Sequence, residues 1–299
     1  MEIKDLIKPP FANYDVVVYF GCGLFSLPLI YHYLIEPAGL RFPRFQFHLG
    51  TPFADVAIST LSLLFSVYIL GHMLAYAASF IIEKSVNIAL GKISSAIVIS
   101  TLVHPREQSS TIKRWIARRV RGAFSRYSKF WLIFRILILT PSIPFIIISF
   151  WLDTFDYYKS RIPKAVFTQI KKRAREKNYG TIGLRTKWYK IIEHDVINNN
   201  QLATQRMYNY LVISGIFRSI GFVFLLCSWA EFYYGIHKII DHHEYTKAIM
   251  SDVTYNYNHL LMYVIYNILF MFCTTAYIKF SRRYVEEALF AFALTDERK

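Results

Sequence analysis

Five polar residues recur along one apolar stretch: Tyr68, His72, Tyr76, Ser79 and Glu83, at i, i+4, i+8, i+11 and i+15. On a helix, at about 100° per residue, they share an arc of about 80°. A polar stripe cannot face lipid without cost, so it faces other helices or water. Those residue types allow three uses: a hydrogen-bonded seam between packed helices, the lining of an ion or proton path, or catalysis. Gly71, Ala75 and Ala78 lie beside the stripe, and small residues at such spacing let a second helix come close.

A second signal is Arg218, inside the apolar run Ile216-Phe217-Arg218-Ser219-Ile220, with Ser214 and Gly221 on the same helical face. An arginine at membrane depth needs a partner or water. Glu83, Asp55 or a neighbouring subunit are the partners on offer, making Arg218 either a structural ion pair or a pore or gate charge. Asn267 is a weaker instance and reads as a packing hydrogen bond.

Enzyme chemistry has less to stand on. His237, His242 and His243, with Asp241 and Glu244, form one short cluster, whereas membrane desaturases and hydroxylases need His boxes on two or more segments. Asp241-His242-His243-Glu244 lacks the cysteine of an Asp-His-His-Cys acyltransferase. Glu286-Glu287 resembles the paired glutamates of intramembrane prenyl-protein proteases, but Ala291 stands where that family has arginine. No G-x-S-x-G, Walker loop or H-E-x-x-H is present. The expectation is a protein with no catalytic residues, no metal and no cofactor.

Two basic blocks carry most of the charge. One holds Lys113, Arg114, Arg118 and Arg121, mostly off a stripe that includes Ile112, Trp115, Ile116, Val120 and Phe124; the other holds Lys171, Lys172, Arg173 and Arg175. Such blocks contact anionic lipid head groups. With Trp115, Phe124, Tyr127, Tyr179, Trp188 and Tyr189 interleaved, they also suit a polyanionic ligand such as an oligonucleotide.

The elements that must position these groups are membrane helices. Hydrophobic residues make up 54% of the 299, charged residues only 18%, yet 35 Lys and Arg face 20 Asp and Glu. A soluble domain carries roughly 25% charged residues. Four runs have the length of a span: Val16–Ile35, interrupted by Gly21, Gly23 and Pro28, then about 53–82, 208–229 and 260–279. The first fifteen residues lack the basic start and cleavage site of a secretory signal, so the first run is expected to be retained. Cys22, Cys227 and Cys273 lie in apolar runs without ligand or disulfide spacing and read as buried thiols.

A fifth apolar stretch, 130–152, contains Thr140-Pro141-Ser142-Ile143-Pro144. Two prolines remove two helix donors and push the residues before them towards extended geometry. Charge then decides the topology. Segment 104–129 holds eight Lys/Arg against one acid and segment 153–206 holds twelve against five, so both face the cytoplasm. That makes 130–152 a re-entrant hairpin and leaves 231–258 outside, with two Lys against four acids. Ser160 and Pro163 mark a helix start, Gly180 a stop, and Asn198-Asn199-Asn200-Gln201 a loop. The expected fold is all-α: about four transmembrane helices, a membrane-dipping hairpin and basic cytoplasmic helices. Its parts are a two-span segment 1–103, a basic region 104–206 interrupted by the hairpin, and a two-span segment with a cytoplasmic tail, 207–299.

A retained first span, the stripe from His72 to Glu83, Arg218 and the basic blocks together resemble the membrane effectors of bacterial anti-phage systems of the Hailong type. The resemblance implies a homo-oligomeric ion pore in the bacterial inner membrane. It further implies gating by an oligonucleotide or nucleotide bound on the cytoplasmic side, with a partner enzyme that makes this ligand. A membrane enzyme acting on lipid or peptide, and a structural membrane subunit, remain the alternatives.

The topology can be checked by cysteine-accessibility labelling at Ser125 and Thr168. Both are expected to label from the cytoplasmic side; labelling from opposite sides would remove the hairpin.

Overall fold

In lipid, a segment that bonds its own backbone must be a helix or part of a closed barrel, and long apolar runs without period-two alternation leave the helix. The computed structural model describes residues 15–36, 52–89, 97, 129–148, 162–179, 188–242 and 249–294, and among them there is no strand. Helix α1 covers 15–35 and α2 covers 52–89. Helix α3 comprises Lys129–Leu139, a 3-10 turn Thr140–Ser142 and the residues 143–148. Then follow α4 (Lys164–Glu176), α5 (Trp188–Asn199), α6 (Gln201–His242) and α7 (Ile249–Leu294).

Four stretches are long and apolar enough to cross a bilayer: Val16–Tyr33, Val56–Ile88, Gln201–Ile236 and Asn258–Leu294. The chain is an all-α, multi-pass membrane protein. Its surface agrees: Val56, Leu61, Phe65 and Met73 are each about two-thirds exposed, while Ser26, Ser219, Ser228 and Asn267 are fully buried. Apolar outside and polar inside is the arrangement lipid requires.

Several sequence expectations are corrected. The first span is not interrupted: Pro28 sits inside the α-helical part Cys22–Ile30, between π-helical turns Asp15–Gly21 and Tyr31–Ile35. The residues before the double proline are not extended. Thr140 lies in the 3-10 turn, and Ile143 is helical at φ −50°, ψ −48°. The third and fourth spans overrun their expected ends. The backbone of 231–242 and 249–258 continues as helix. At about 1.5 Å per residue α7 is roughly 69 Å long, more than twice a hydrocarbon core of about 30 Å. The Asn198–Gln201 loop shrinks to Asn200 alone, whose side-chain oxygen caps α6 by accepting from Ala203 N at 3.0 Å. Helix α4 starts directly after Pro163, as expected, but ends at Glu176, short of Gly180. Asn178 takes φ 55°, and Tyr179 N bonds Ala174 O at 2.8 Å, an asparagine in the left-handed position that closes a helix.

The chain divides into two units that cut across the linear division 1–103, 104–206 and 207–299. The first gathers α1, α2 up to Ile82, Leu139–Ile146, α6 from Gly215 and α7 up to Thr274. Here α1 and α2 touch backbone to backbone. A Cβ on Gly71 would lie 1.8 Å from Tyr19 O, and one on Gly23 would lie 2.0 Å from Val67 O. The bond each glycine leaves to hydrogen points at the opposite carbonyl, the geometry of a Cα–H···O contact.

The second unit takes the rest: α2 from Glu83, the remaining parts of α3, α4, α5, α6 up to Ser214 and α7 from Thr275. Its core joins Phe167, Ile170 and Ala174 of α4 to Ile192 and Val196 of α5, Met207 of α6, and Leu289 and Phe292 of α7. Each helix supplies these residues at intervals of three or four, so one face of each is buried.

Gly71→Ala should destabilise the protein by about 1–3 kcal/mol or more through overpacking of the α1–α2 contact. Gly235→Ala should be neutral or slightly stabilising, because its Cβ meets nothing within 4 Å and alanine favours a helix by about 0.5–1 kcal/mol. Thermal unfolding of the two variants in detergent compares them directly; equal midpoints would contradict the contact.

Candidate functional site

The stripe on α2 is divided by its surroundings. His72 stacks on Tyr19 of α1 with ring centroids 3.7 Å apart, and Tyr68 meets His72 edge-on at 4.5 Å. Both therefore belong to an aromatic seam between α1 and α2, beside the Gly23–Gly71 crossing. Tyr76 points away and is 78% exposed. Ser79 and Glu83 are half-buried in a π-helical turn, Ser79–Glu83, which shifts them off the regular 100° progression. Arg218 is half-buried in α6.

A different polar cluster lies inside the first unit. Glu231 of α6 is 4% exposed. Its Oε1 accepts the hydroxyl of Tyr33 from α1 at 2.5 Å, and its Oε2 lies 2.5 Å from His259 Nδ1 of α7. Tyr33 and Tyr266 hydroxyls are 3.1 Å apart. Beside Tyr266 on α7, Asn267 Nδ2 donates at 2.7 Å to Oγ of Ser228, one turn before Glu231 on α6, the packing hydrogen bond read from the sequence. Tyr263 donates to the carbonyl of Pro141, so the bend in α3 presents a carbonyl to α7. Pro141 and Ser142 are buried there.

Each of these contacts follows from local register. Tyr263, Tyr266 and Asn267 fall at i, i+3 and i+4 on α7, and Ser228 and Glu231 at i and i+3 on α6, so each set shares a face. Next to Glu231 is a cavity of about 370 Å³ lined by Glu231, Phe232, Gly235, Ile236, His259, Leu260 and Tyr263. A carboxylate held by a phenol and an imidazole can carry a proton or a cation, and the pair can exchange a proton between them. Sequence reading missed this site because it ended the third span at about 229 and began the fourth at about 260, leaving Glu231 and His259 just beyond both. The available signal was the pair Glu231 and His259 flanking two apolar runs, each among aromatics.

Among the described residues, no three His, Cys, Asp or Glu side chains come together as metal ligands. The cluster around His237, Asp241, His242, His243 and Glu244 is not described at side-chain level. Cys22, Cys227 and Cys273 are free and buried. Glu286 pairs with Arg283 at 3.2 Å and Glu287 with Arg206 at 3.3 Å, so the two adjacent carboxylates are directed apart.

Of the basic residues, Lys113, Arg114, Arg118 and Arg121 lie outside the described residues. Lys171, Lys172 and Arg175 are exposed on α4. Arg173 instead turns towards α7, donating to Phe292 O at 2.9 Å with its guanidinium over the Phe292 ring. Of the aromatics expected to stack on a ligand, Trp115, Phe124 and Tyr127 lie outside the described residues, while Trp188 is buried and Tyr179 stacks on Phe292 and donates to Asp195 at 3.0 Å. Burial, then Asp195, pushes the Tyr179 phenol above its usual range.

No protein-family model, curated protein or solved structure matches the chain.

Arg173→Gln should lower the thermal midpoint, since it leaves the Phe292 carbonyl without its charged donor, a loss of about 1–3 kcal/mol. Neutralising Lys171, Lys172 and Arg175 together should change stability by less than about 0.5 kcal/mol per site, as exposed positions do. Comparable losses in both variants would refute this division of α4.

Proposed function

We propose that the chain is an ion-conducting membrane effector, acting as a homo-oligomer, in which Glu231 with His259 is the charge that admits cations. The observation that carries this reading is a carboxylate 4% exposed among spanning helices, on the wall of a cavity, with both oxygens hydrogen-bonded. Buried ionisable groups at membrane depth are costly and mark ion or proton routes, and acidic rings select cations in pores. An oligomer would repeat Glu231 around an axis and make such a ring.

The exposed face of α4, with Lys171, Lys172 and Arg175, is the surface proposed to receive an anionic cytoplasmic ligand such as an oligonucleotide. Together with Lys113, Arg114, Arg118 and Arg121 it would supply a site whose affinity falls steeply with salt. The resemblance to Hailong-type effectors adds a setting for this reading. It is the bacterial inner membrane, with an enzyme making the ligand and conduction serving anti-phage defence.

Purified protein in liposomes should pass cations in preference to anions, and a single-stranded oligonucleotide should change that flux. Glu231→Gln and His259→Gln, each confirmed to keep the native particle size, should reduce cation flux by about tenfold, equivalent to about 1.4 kcal/mol on the barrier. Neutral replacements of Lys171, Lys172 and Arg175 should abolish the response to oligonucleotide and leave basal flux unchanged. An assembled protein without flux would end the conduction reading, and flux indifferent to oligonucleotide would end the gating one.

A further inference from the structure

The geometry points to the cavity beside Glu231 as a binding site for a lipophilic cation, a hydrocarbon or aromatic body carrying one positive charge. Its volume, about 370 Å³, falls in the range of small-molecule sites, about 300–1,000 Å³. Phe232, Ile236 and Leu260 give it apolar walls, and Glu231 and His259 bring the polar edge. The hydroxyl of Tyr263 is committed to the Pro141 carbonyl, which leaves its ring as wall. The rings of Phe232 and Tyr263 stand 5.9 Å apart, and two aromatic faces beside a carboxylate are what an organic cation is attracted to.

Glu231 retains acceptor capacity for such a guest. A carboxylate has about four lone-pair positions, and Tyr33 and His259 use one on each oxygen. Those two donors hold the carboxylate in place before a ligand arrives, so the ligand need not organise it. Glu231 is only 4% exposed, so its charge is screened less than that of a surface carboxylate and attracts a cation more strongly. An anion of the same shape would meet Glu231 as repulsion, so charge sign is the discriminating property.

Gly235 supplies an independent handle on the cavity. It lines the wall, and a Cβ built there meets no atom within 4 Å. A larger side chain at this position would occupy the space without displacing backbone and without altering Glu231 or His259.

The experiment uses tetraphenylphosphonium and tetraphenylborate, ions matched in shape and opposite in sign, with the full chain in detergent micelles. Radiolabelled tetraphenylphosphonium should bind saturably at one site per chain, and radiolabelled tetraphenylborate, titrated separately, should show no saturable binding. Glu231→Gln and Gly235→Leu should each weaken binding at least about tenfold, or 1.4 kcal/mol, with particle size and thermal midpoint recorded alongside. Gly235→Leu keeps the test decisive if Glu231→Gln folds poorly. Absence of saturable binding of the cation, equal saturable binding of the borate, or full binding to folded Gly235→Leu would each overturn the proposal. Binding in micelles requires no conduction, so loss of the flux reading leaves this site standing, and the reverse also holds.

Discussion

A carboxylate buried among membrane helices persists only if its oxygens are hydrogen-bonded, and Glu231 meets that condition by drawing on three helices at once. Tyr33 comes from α1, His259 from α7, and the carboxylate itself from α6. Removing one donor would leave a buried acceptor unsatisfied, at a cost of about 1–3 kcal/mol and more for a charge. The register between α6 and α7 is therefore specified at this level, and the Asn267–Ser228 hydrogen bond repeats the specification one turn away. The aromatic layer around it, with Tyr266 against Tyr33 and Phe224, fills the space those polar groups define.

The placement of α1 depends on a second constraint, steric instead of polar. Gly23 and Gly71 let two backbones meet where any Cβ would collide with a carbonyl. Without a hydrophobic driving force between helices in lipid, such close packing is a main source of association. His72 is part of that contact through its stacking on Tyr19. Hence one of the residues that could line an ion or proton path also packs the contact between α1 and α2.

In the second unit the same periodic logic separates neighbours in the run Lys171 to Lys177. Phe167, Ile170 and Ala174 face the core, so residues one position away divide according to angle. Arg173 falls at the core's edge and is used by Phe292; Lys177 pairs with Asp195 at 2.9 Å. Lys171, Lys172 and Arg175 stay outside. A run of similar charges in sequence thus divides in space into anchors and exposed surface.

The sequence by itself determined the class of protein, because hydropathy and length report directly on what lipid demands of each segment. It located four spans, the start of α4, the buried thiols and the Asn267 hydrogen bond. It misjudged the ends of α6 and α7, since a helix leaving the bilayer continues as long as packing or capping supports it, and hydropathy falls before the helix stops. It misjudged the double proline for a related reason. A preference against helix before proline is about a local cost, and the buried turn, with Tyr263 on the Pro141 carbonyl, offsets that cost through tertiary contacts. Tertiary structure alone decided the candidate site. Tyr33, Glu231 and His259 are separated by up to 226 positions, and no periodicity on one helix encodes which side chain on another will complete a buried carboxylate.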